Sequence, residues 1–124
     1  MSEITCRQSP TLTRSEVRAC AVDLGENTSG EETGVLKAGA TASSGTISVQ
    51  SKPAGAADPT LSAVSINGSS IVVSGRTCSA GEAATFTITT ASDQSLGQYV
   101  LLLTIQTSNS ETIKRRLPLY VGVE

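Results

Sequence analysis

The feature that most constrains this chain is the placement of large apolar side chains at every second position in its C-terminal half. Between residues 98 and 107, one face of a predicted strand carries Tyr99, Leu101, Leu103 and Ile105. This two-residue period fits a β-strand, in which successive side chains point to opposite faces, and does not fit a helix. Val100 and Leu102 predict that the opposite face of the same strand is partly covered as well.

The same period predicts strands along most of the chain. They cover residues 16–24, 35–36, 46–51, 61–66, 71–74, 83–90, 98–107 and 112–123. No stretch of ten or more residues has the 3.6-residue period of an amphipathic helix. Short strands separated by turns at regular intervals predict an all-β protein, with the fold of an immunoglobulin-like antiparallel β-sandwich.

Glycine, proline and asparagine mark the connections between these strands. Residues 52–59 contain two prolines, a glycine and an aspartate, which predicts a loop. The pair Asn67-Gly68 lies between two apolar runs and predicts a type I′ hairpin turn, while residues 108–110 predict a tight polar turn. Because proline cannot donate a backbone hydrogen bond, Pro118 predicts that the last strand lies at a sheet edge.

The length of 124 residues suits one domain. Residues 1–15 contain few apolar side chains, so we expect an extended N-terminal arm there, followed by a single β-sandwich domain over residues 16–124. The polar beginning of the chain, which includes Glu3, does not resemble a signal peptide. No apolar run approaches the roughly 18 residues of a membrane span, so we expect no membrane partner.

The residue types give little support to catalysis or to cofactor binding. The chain has no histidine, which excludes nucleophile–histidine pairs and histidine general bases. Glu31 and Glu32 are the only adjacent acidic pair, and no aromatic side chain lies nearby to bind a sugar ring. The carboxylates of Asp23, Glu26 and Glu31 are too dispersed for an EF-hand calcium loop. We therefore predict that the protein is not an enzyme and has neither a cofactor nor a metal site.

The three cysteines, Cys6, Cys20 and Cys78, are an odd number. None belongs to a Cys-x-x-Cys pair, and without histidine a zinc site would need all three thiolates and a carboxylate. We therefore expect free cysteines in a reducing cytoplasm, with Cys20 and Cys78 buried in strands as small apolar side chains.

Positive charge is concentrated in one short run, Lys114-Arg115-Arg116, in a chain whose net charge is −2. Nucleic-acid binding is not favoured, because no basic stripe alternates with aromatic side chains. The run instead predicts a solvated or interface patch. We expect Lys114, Arg115, Arg116 and Tyr120 to contact a partner protein, with the two arginines meeting an acidic surface.

Tyr99 follows Gly97 by two residues, at the beginning of the most apolar strand. This position is typical of the tyrosine corner of immunoglobulin-like domains, in which the hydroxyl group bonds to the backbone a few residues upstream. An ordinary half-buried strand tyrosine also fits the sequence. Both interpretations give Tyr99 a structural role.

The segments SAGEAATFTITT (79–90) and LGQYVLLLTIQTSNSETIKRRLPLYV (96–121) resemble the last strands of small immunoglobulin-like proteins encoded by tailed bacteriophages. In both, a glycine shortly precedes a tyrosine, an alternating strand and a polar turn follow, and the final strand begins with basic residues. The segment VRACAVDLGENT is similar to an early strand of that group. The segment VSGRTCSAG (73–81) differs, because the family pattern there is Trp-Leu-Ser-Gly-Gly-Thr-Ala-Gly.

The resemblance implies a virion structural protein that is assembled in the host cytoplasm. Its role would be that of an adaptor between tail, fibre or head components, in contact with other virion proteins and present as a homo-oligomer. A capsid decoration protein is the main alternative. A glycan-binding surface module is a further alternative, although exposed aromatic side chains, which bind sugars, are scarce.

Overall fold

The computed structural model describes residues 11–27, 36–37, 40–73 and 76–122. These residues form strands and turns, and no helix occurs among them. The strands are β1 (Thr11–Leu12), β2 (Val17–Asp23), β3 (Glu26–Asn27), β4 (Leu36–Lys37), β5 (Ala42–Ser51), β6 (Thr60–Leu61), β7 (Ser65–Ile66), β8 (Ile71–Val73), β9 (Arg76–Cys78), β10 (Ala83–Thr89), β11 (Gly97–Thr107) and β12 (Thr112–Val121). The prediction of an all-β protein is confirmed.

The largest sheet, which we call the four-stranded sheet, has the strand order β1-β12-β11-β5. β11 is antiparallel to both of its neighbours, β12 and β5. β1 runs parallel to the end of β12, so that Thr11 lies opposite Tyr120 and Leu12 opposite Val121. The turn that joins β11 to β12 includes Ser110 with a φ of 65°, and it confirms the predicted polar turn.

The second sheet is built around β10. β2 pairs antiparallel with β10 along its whole length, from Ala83 opposite Asp23 to Thr89 opposite Val17. β6 and β7 pair with different parts of the other edge of β10. Two small pairs complete the described strands: β3 is parallel to β4, and β8 is antiparallel to β9.

The two larger sheets share one apolar core, which makes the fold sandwich-like. The core is mostly aliphatic, because the chain has no tryptophan and places only Phe86 and Tyr99 as buried aromatics. Its fully buried side chains at the four-stranded sheet include Leu12, Tyr99, Leu101, Leu103, Ile105, Leu119 and Val121. The apolar period of β11 and β12 therefore has the predicted cause, which is burial of one face of each strand.

Two predicted strands differ most from their expected extent. The predicted strand 61–66 divides into β6 and β7, because the Ser62 hydroxyl oxygen accepts the Thr87 amide at 2.8 Å where a continuous ladder would use a backbone carbonyl. β5 begins at Ala42 rather than at residue 46. Gly45 allows this extension, since a Cβ atom there would lie 2.8 Å from Cδ1 of Ile105 and 3.1 Å from Cγ1 of Val64.

The hairpin predicted at Asn67-Gly68 is wrong. β7 pairs with β10 and β8 pairs with β9, and neither residue of the pair has a positive φ. The Asn67 side chain instead joins neighbouring segments: its Oδ1 atom accepts the amides of Gly81 at 3.1 Å and Ala83 at 2.9 Å, and its Nδ2 atom donates to the Ser79 carbonyl at 2.8 Å. An amide side chain has both hydrogen-bond donors and acceptors, so it can bond to the backbone of neighbouring segments as readily as it can stabilise a turn.

Part of the segment predicted as an arm belongs to the sandwich. Leu12 is fully buried, and the Ser15 amide donates to the Ala91 carbonyl at 3.2 Å. Residues 1–10 lie outside the described residues, so the arm stays a prediction there. Pro118 lies in the portion of β12 that, within the described ranges, pairs with β11 alone, in agreement with its predicted edge position.

Burial of the described cysteines is confirmed, with Cys20 2% and Cys78 0% exposed. The prediction that the cysteines are free is wrong for Cys20, which is disulfide-bonded. Cys6 lies outside the described residues. A buried position in a strand suits a thiol and a disulfide sulfur alike, so the alternation around Cys20 does not distinguish between them.

Candidate interaction surface

The four-stranded sheet has an outer face, formed by the side chains of β5, β11 and β12 that point away from the core. Positions on this face are half-buried or exposed, whereas most of the intervening positions of β11 and β12 are buried. Its centre consists of six neighbouring side chains on two strands, which we call the outer-face cluster: Val100, Leu102, Lys114, Arg116, Pro118 and Tyr120.

The register of β11 and β12 brings the members of the cluster together. Val100 lies opposite Pro118, and Leu102 lies opposite Arg116. Residues directly opposite each other in an antiparallel pair have Cβ atoms about 4.5–5.5 Å apart, close enough for their side chains to form one surface. The result is a small apolar centre with a cationic group directly beside it.

Tyr120 is the most exposed large apolar side chain of the cluster, at 49%. Its ring lies beside the backbone of Gly122, where an added Cβ atom would be 3.3 Å from Cε2 of the ring. An exposed tyrosine offers both an apolar ring and a polar hydroxyl group, which suits contact with another protein.

The structure separates the residues of the predicted interface into two groups. Lys114, Arg116 and Tyr120 lie on the outer face, two or four residues apart along β12. Arg115 points to the opposite side of the strand, where it pairs in register with Leu103, is exposed, and donates from Nη1 to the Lys114 carbonyl at 2.9 Å. The basic run is therefore continuous in sequence and divided between two faces in space.

The charge of the four-stranded sheet has one sign. β5, β11 and β12 contain no aspartate and no glutamate. The ion pairs found in the described part of the chain lie elsewhere, between Glu16 and Arg18 and between Lys52 and Asp58, the latter at 2.8 Å. The cations of the outer face have no carboxylate partner within that part of the chain, although the whole chain has a net charge of −2.

A buried polar group fixes the beginning of β11. The hydroxyl group of Tyr99, which is fully buried, donates to the Ser95 carbonyl at 2.6 Å. The Nε2 atom of Gln94, itself 3% exposed, donates to the Tyr99 hydroxyl oxygen at 3.0 Å and to the Ala57 carbonyl at 2.8 Å. A bond from a strand tyrosine to a carbonyl four residues upstream is the geometry of a tyrosine corner, the first of the two interpretations of Tyr99.

Glu16 lies in the turn between β1 and β2 and forms an ion pair with Arg18. Its Oε1 atom accepts the Thr13 backbone amide at 2.8 Å, and its Oε2 atom accepts Nε of Arg18 at 2.8 Å. The hydrogen bond from the Thr13 amide lowers the pKa of Glu16 below its ordinary value of 4.5; partial burial opposes this shift, and the Arg18 guanidinium adds to it. These contacts hold the turn between β1 and β2, a structural role.

The described residues contain no candidate metal-binding group. No three of their histidine, cysteine, aspartate and glutamate side chains come together in a group that could hold a metal ion. Glu31 and Glu32, weighed as a carboxylate pair, lie outside the described residues. No helix in the described ranges is long and apolar enough to cross a membrane.

No family model, no curated protein and no solved structure matches this chain. The candidate surface therefore rests on its own geometry. Sequence reasoning identified Lys114, Arg116 and Tyr120 but did not include Val100, Leu102 and Pro118 with them. The available signal was the presence of apolar side chains on both faces of β11, which only the strand register connects with the basic run.

Proposed function

We propose that this chain is a non-enzymatic, immunoglobulin-like structural protein of a tailed-phage virion, acting as an adaptor between tail, fibre or head components. The immunoglobulin-like part of the proposal is supported by the parallel pairing of β1 with β12, and by a facing sheet in which β2 and β10 are neighbours. The bond from Tyr99 to the Ser95 carbonyl supports it further, because a tyrosine corner occurs at the beginning of the penultimate strand of such domains.

The observation that carries the functional part is the outer-face cluster. A small domain is suited to binding another protein when one sheet face presents half-exposed apolar side chains, an exposed tyrosine, and cations that have no carboxylate partner among the described residues. The virion as the setting is supported by the resemblance of the C-terminal strands to phage immunoglobulin-like proteins. The absence of histidine from the sequence supports a non-enzymatic role.

Copy number in purified particles tests this proposal. Absolute quantitative mass spectrometry would compare this chain with the major capsid protein in particles from its source. We expect roughly six to twelve copies per particle, as for a protein in a symmetric ring or at fibre attachments. Such a ratio would also support the homo-oligomer that an adaptor ring requires.

Other copy numbers per particle would contradict the proposal in different ways. Hundreds of copies per particle would show a capsid decoration protein and would overturn the adaptor role. Absence of the chain from purified particles would reject the virion as its location. A particle with the capsid and tail proteins in their normal ratio is the matched control for either result.

A further inference from the structure

We propose that the outer-face cluster is the docking surface for an acidic surface of a different protein. The proposal deepens the function proposed above and rests on it for the assembly in which docking takes place. It adds the chemistry of the partner, which presents carboxylates opposite Lys114 and Arg116 around a small apolar centre.

Within the outer face, β5 and β11 differ in their outward-pointing side chains. On β5 the outward positions carry small polar side chains such as Thr46 and Ser48, as expected for a sheet face that meets water. On β11 the equivalent positions carry Val100 and Leu102, which are only half-buried. The departure from a polar face is thus confined to β11 and to its neighbour β12, and β12 is the strand that carries the cations.

Tyr120 and Arg116 are residue types that proteins use at the centre of interfaces. Tyrosine and arginine are enriched there and account for a large share of binding free energy, whereas lysine is more typical of the rim. Tyr120 is 49% exposed, with its ring beside Gly122, and Arg116 lies in register with Leu102. Tyr120 and Arg116 therefore lie at opposite ends of the apolar centre.

Charge decides the chemistry of the partner. The four-stranded sheet contains no acidic residue in its three long strands, so no side chain of those strands neutralises the cations of the outer face. A guanidinium group binds a carboxylate through two parallel hydrogen bonds, and an ammonium group adds a second positive point charge. A partner surface with carboxylates spaced to match Lys114 and Arg116 is complementary to this arrangement.

A second copy of the chain is a poor occupant of the same surface. A two-fold symmetric contact places the same patch of each subunit against the other, so Lys114 and Arg116 would face the same cations of the second copy. Like charges brought together at an interface oppose association. The outer-face cluster therefore does not form a two-fold contact between copies, and we assign it to a different protein. A head-to-tail contact with an acidic patch of a second copy is the competing occupant, and the cross-linking below would reveal it as cross-links to carboxylates of this chain.

Zero-length cross-linking with a carbodiimide tests the proposal on the native assembly isolated from the source. The reagent joins a lysine amine to a carboxylate that is already in contact with it, with loss of water. We expect Lys114 to be recovered in peptides joined to an aspartate or glutamate of another protein. Lys52 is the internal control, because its contact with Asp58 at 2.8 Å yields a cross-link within this chain.

Each result of the cross-linking decides a separate point. A Lys114 cross-link to a virion protein supports the docking surface and the proposed function together. A cross-link to a protein that is not part of a virion supports the docking surface and overturns the proposed function. Recovery of Lys114 without a cross-link, or joined only to carboxylates of this chain, overturns the docking surface even where the chain is found in particles.

Charge reversal gives a second test with a matched control on the same strand. The partner identified by cross-linking is then purified, and its affinity for this chain is measured. Lys114→Glu/Arg116→Glu is expected to weaken that affinity at least about tenfold. Arg115→Glu, which changes the charge next to both residues but on the opposite face, is expected to stay within about twofold. Equal loss in the two variants would contradict the assignment to the outer face.

Salt dependence gives a readout that a misfolded variant would not mimic. The Debye length falls from about 8 Å at physiological ionic strength to about 3 Å at 1 M, so binding of the unmodified chain is expected to weaken as salt is added. The weak residual binding of Lys114→Glu/Arg116→Glu is expected to depend less on salt. Unmodified binding that is indifferent to salt would contradict an acidic partner surface.

Discussion

The two faces of β11 and β12 contain residues of similar types with different roles. On the inner face, Leu101, Leu103 and Leu119 are at most 2% exposed and lie in the core shared by the two sheets. On the outer face, Val100 and Leu102 occupy alternate positions of the same strand and remain half-buried. The apolar content of a strand therefore does not by itself identify which of its faces lies in the core. The side with a facing sheet stabilises the fold, and the other side is the one that we propose for binding.

Alanine substitutions of Leu102 and Leu103 test this difference between the two faces most strongly. Leu103→Ala removes a fully buried side chain and is expected to lower the free energy of unfolding by about 2–5 kcal/mol, because it leaves a cavity. Leu102→Ala, on the outer face, is expected to cost less than about 1 kcal/mol. Urea denaturation measures both values. A similar loss in the two variants would mean that the outer face is packed as tightly as the core.

The two tyrosines of the same sheet give the next largest contrast. Tyr99→Phe leaves the Ser95 carbonyl and the Gln94 amide without their shared partner, and is expected to cost about 1–3 kcal/mol. Tyr120→Phe removes a hydroxyl group from an exposed ring and is expected to change stability by less than about 0.5 kcal/mol. Thermal unfolding followed by circular dichroism is sufficient. If Tyr99→Phe leaves the stability unchanged, the hydrogen bonds of the Tyr99 hydroxyl group do not stabilise the fold.

Paired and unpaired charges should differ in their effect on the pH dependence of stability. The pKa of Glu16 is lowered in the folded chain, so its contribution is present above the ordinary value of 4.5 and is lost as pH falls from there through the folded pKa. Glu16→Gln is expected to lose less than about 1 kcal/mol at neutral pH and to show a shallower decline in acid.

Denaturant titrations at pH values from about 3 to 7 measure this effect, a range that spans ordinary glutamate pKa values. Asp58→Asn, which removes a more exposed carboxylate from an ion pair, is the control for the loss of one negative charge. An identical decline for Glu16→Gln and the unmodified chain would show that the contacts of Glu16 with Thr13 and Arg18 do not favour the folded state.

Charge reversal on the outer face is expected to have the smallest effect on stability. Lys114→Glu/Arg116→Glu is expected to change the free energy of unfolding by less than about 0.5 kcal/mol, since both side chains are exposed and have no described carboxylate partner. Arg115→Glu is expected to behave in the same way. Chemical denaturation of the three proteins side by side checks this. A large loss in the double variant would give the outer face a role in folding.

Much of the sheet structure could be predicted because it follows from local patterns. The period of two around Leu101 and Leu103 predicts a strand and identifies its buried face, and a proline in the last strand predicts an edge. At Asn67-Gly68 the local pattern is not sufficient to predict the structure. The dipeptide is compatible with a turn, but its side-chain bonds to Gly81 and Ala83 depend on a segment that is distant in sequence.

The candidate surface could be predicted only in part, for a related reason. A basic run is visible in sequence, but whether Arg115 belongs with Arg116 depends on which strand face points outward. The apolar members Val100 and Leu102 join the cations only through the register between β11 and β12. The burial of Leu12 was missed because β1 is two residues long, too short for any period to be recognised.

Hydroxyl-radical footprinting of the two tyrosines tests the division of the sheet into a core face and a binding face most directly. Oxidation of Tyr120 and Tyr99 would be measured by mass spectrometry in the isolated chain and in the native assembly. We expect Tyr120 to be oxidised readily in the isolated chain and several-fold less in the assembly, with Tyr99 protected in both because it is fully buried. Equal oxidation of Tyr120 in the two states would contradict the account, because it would show that the outer face stays exposed to solvent.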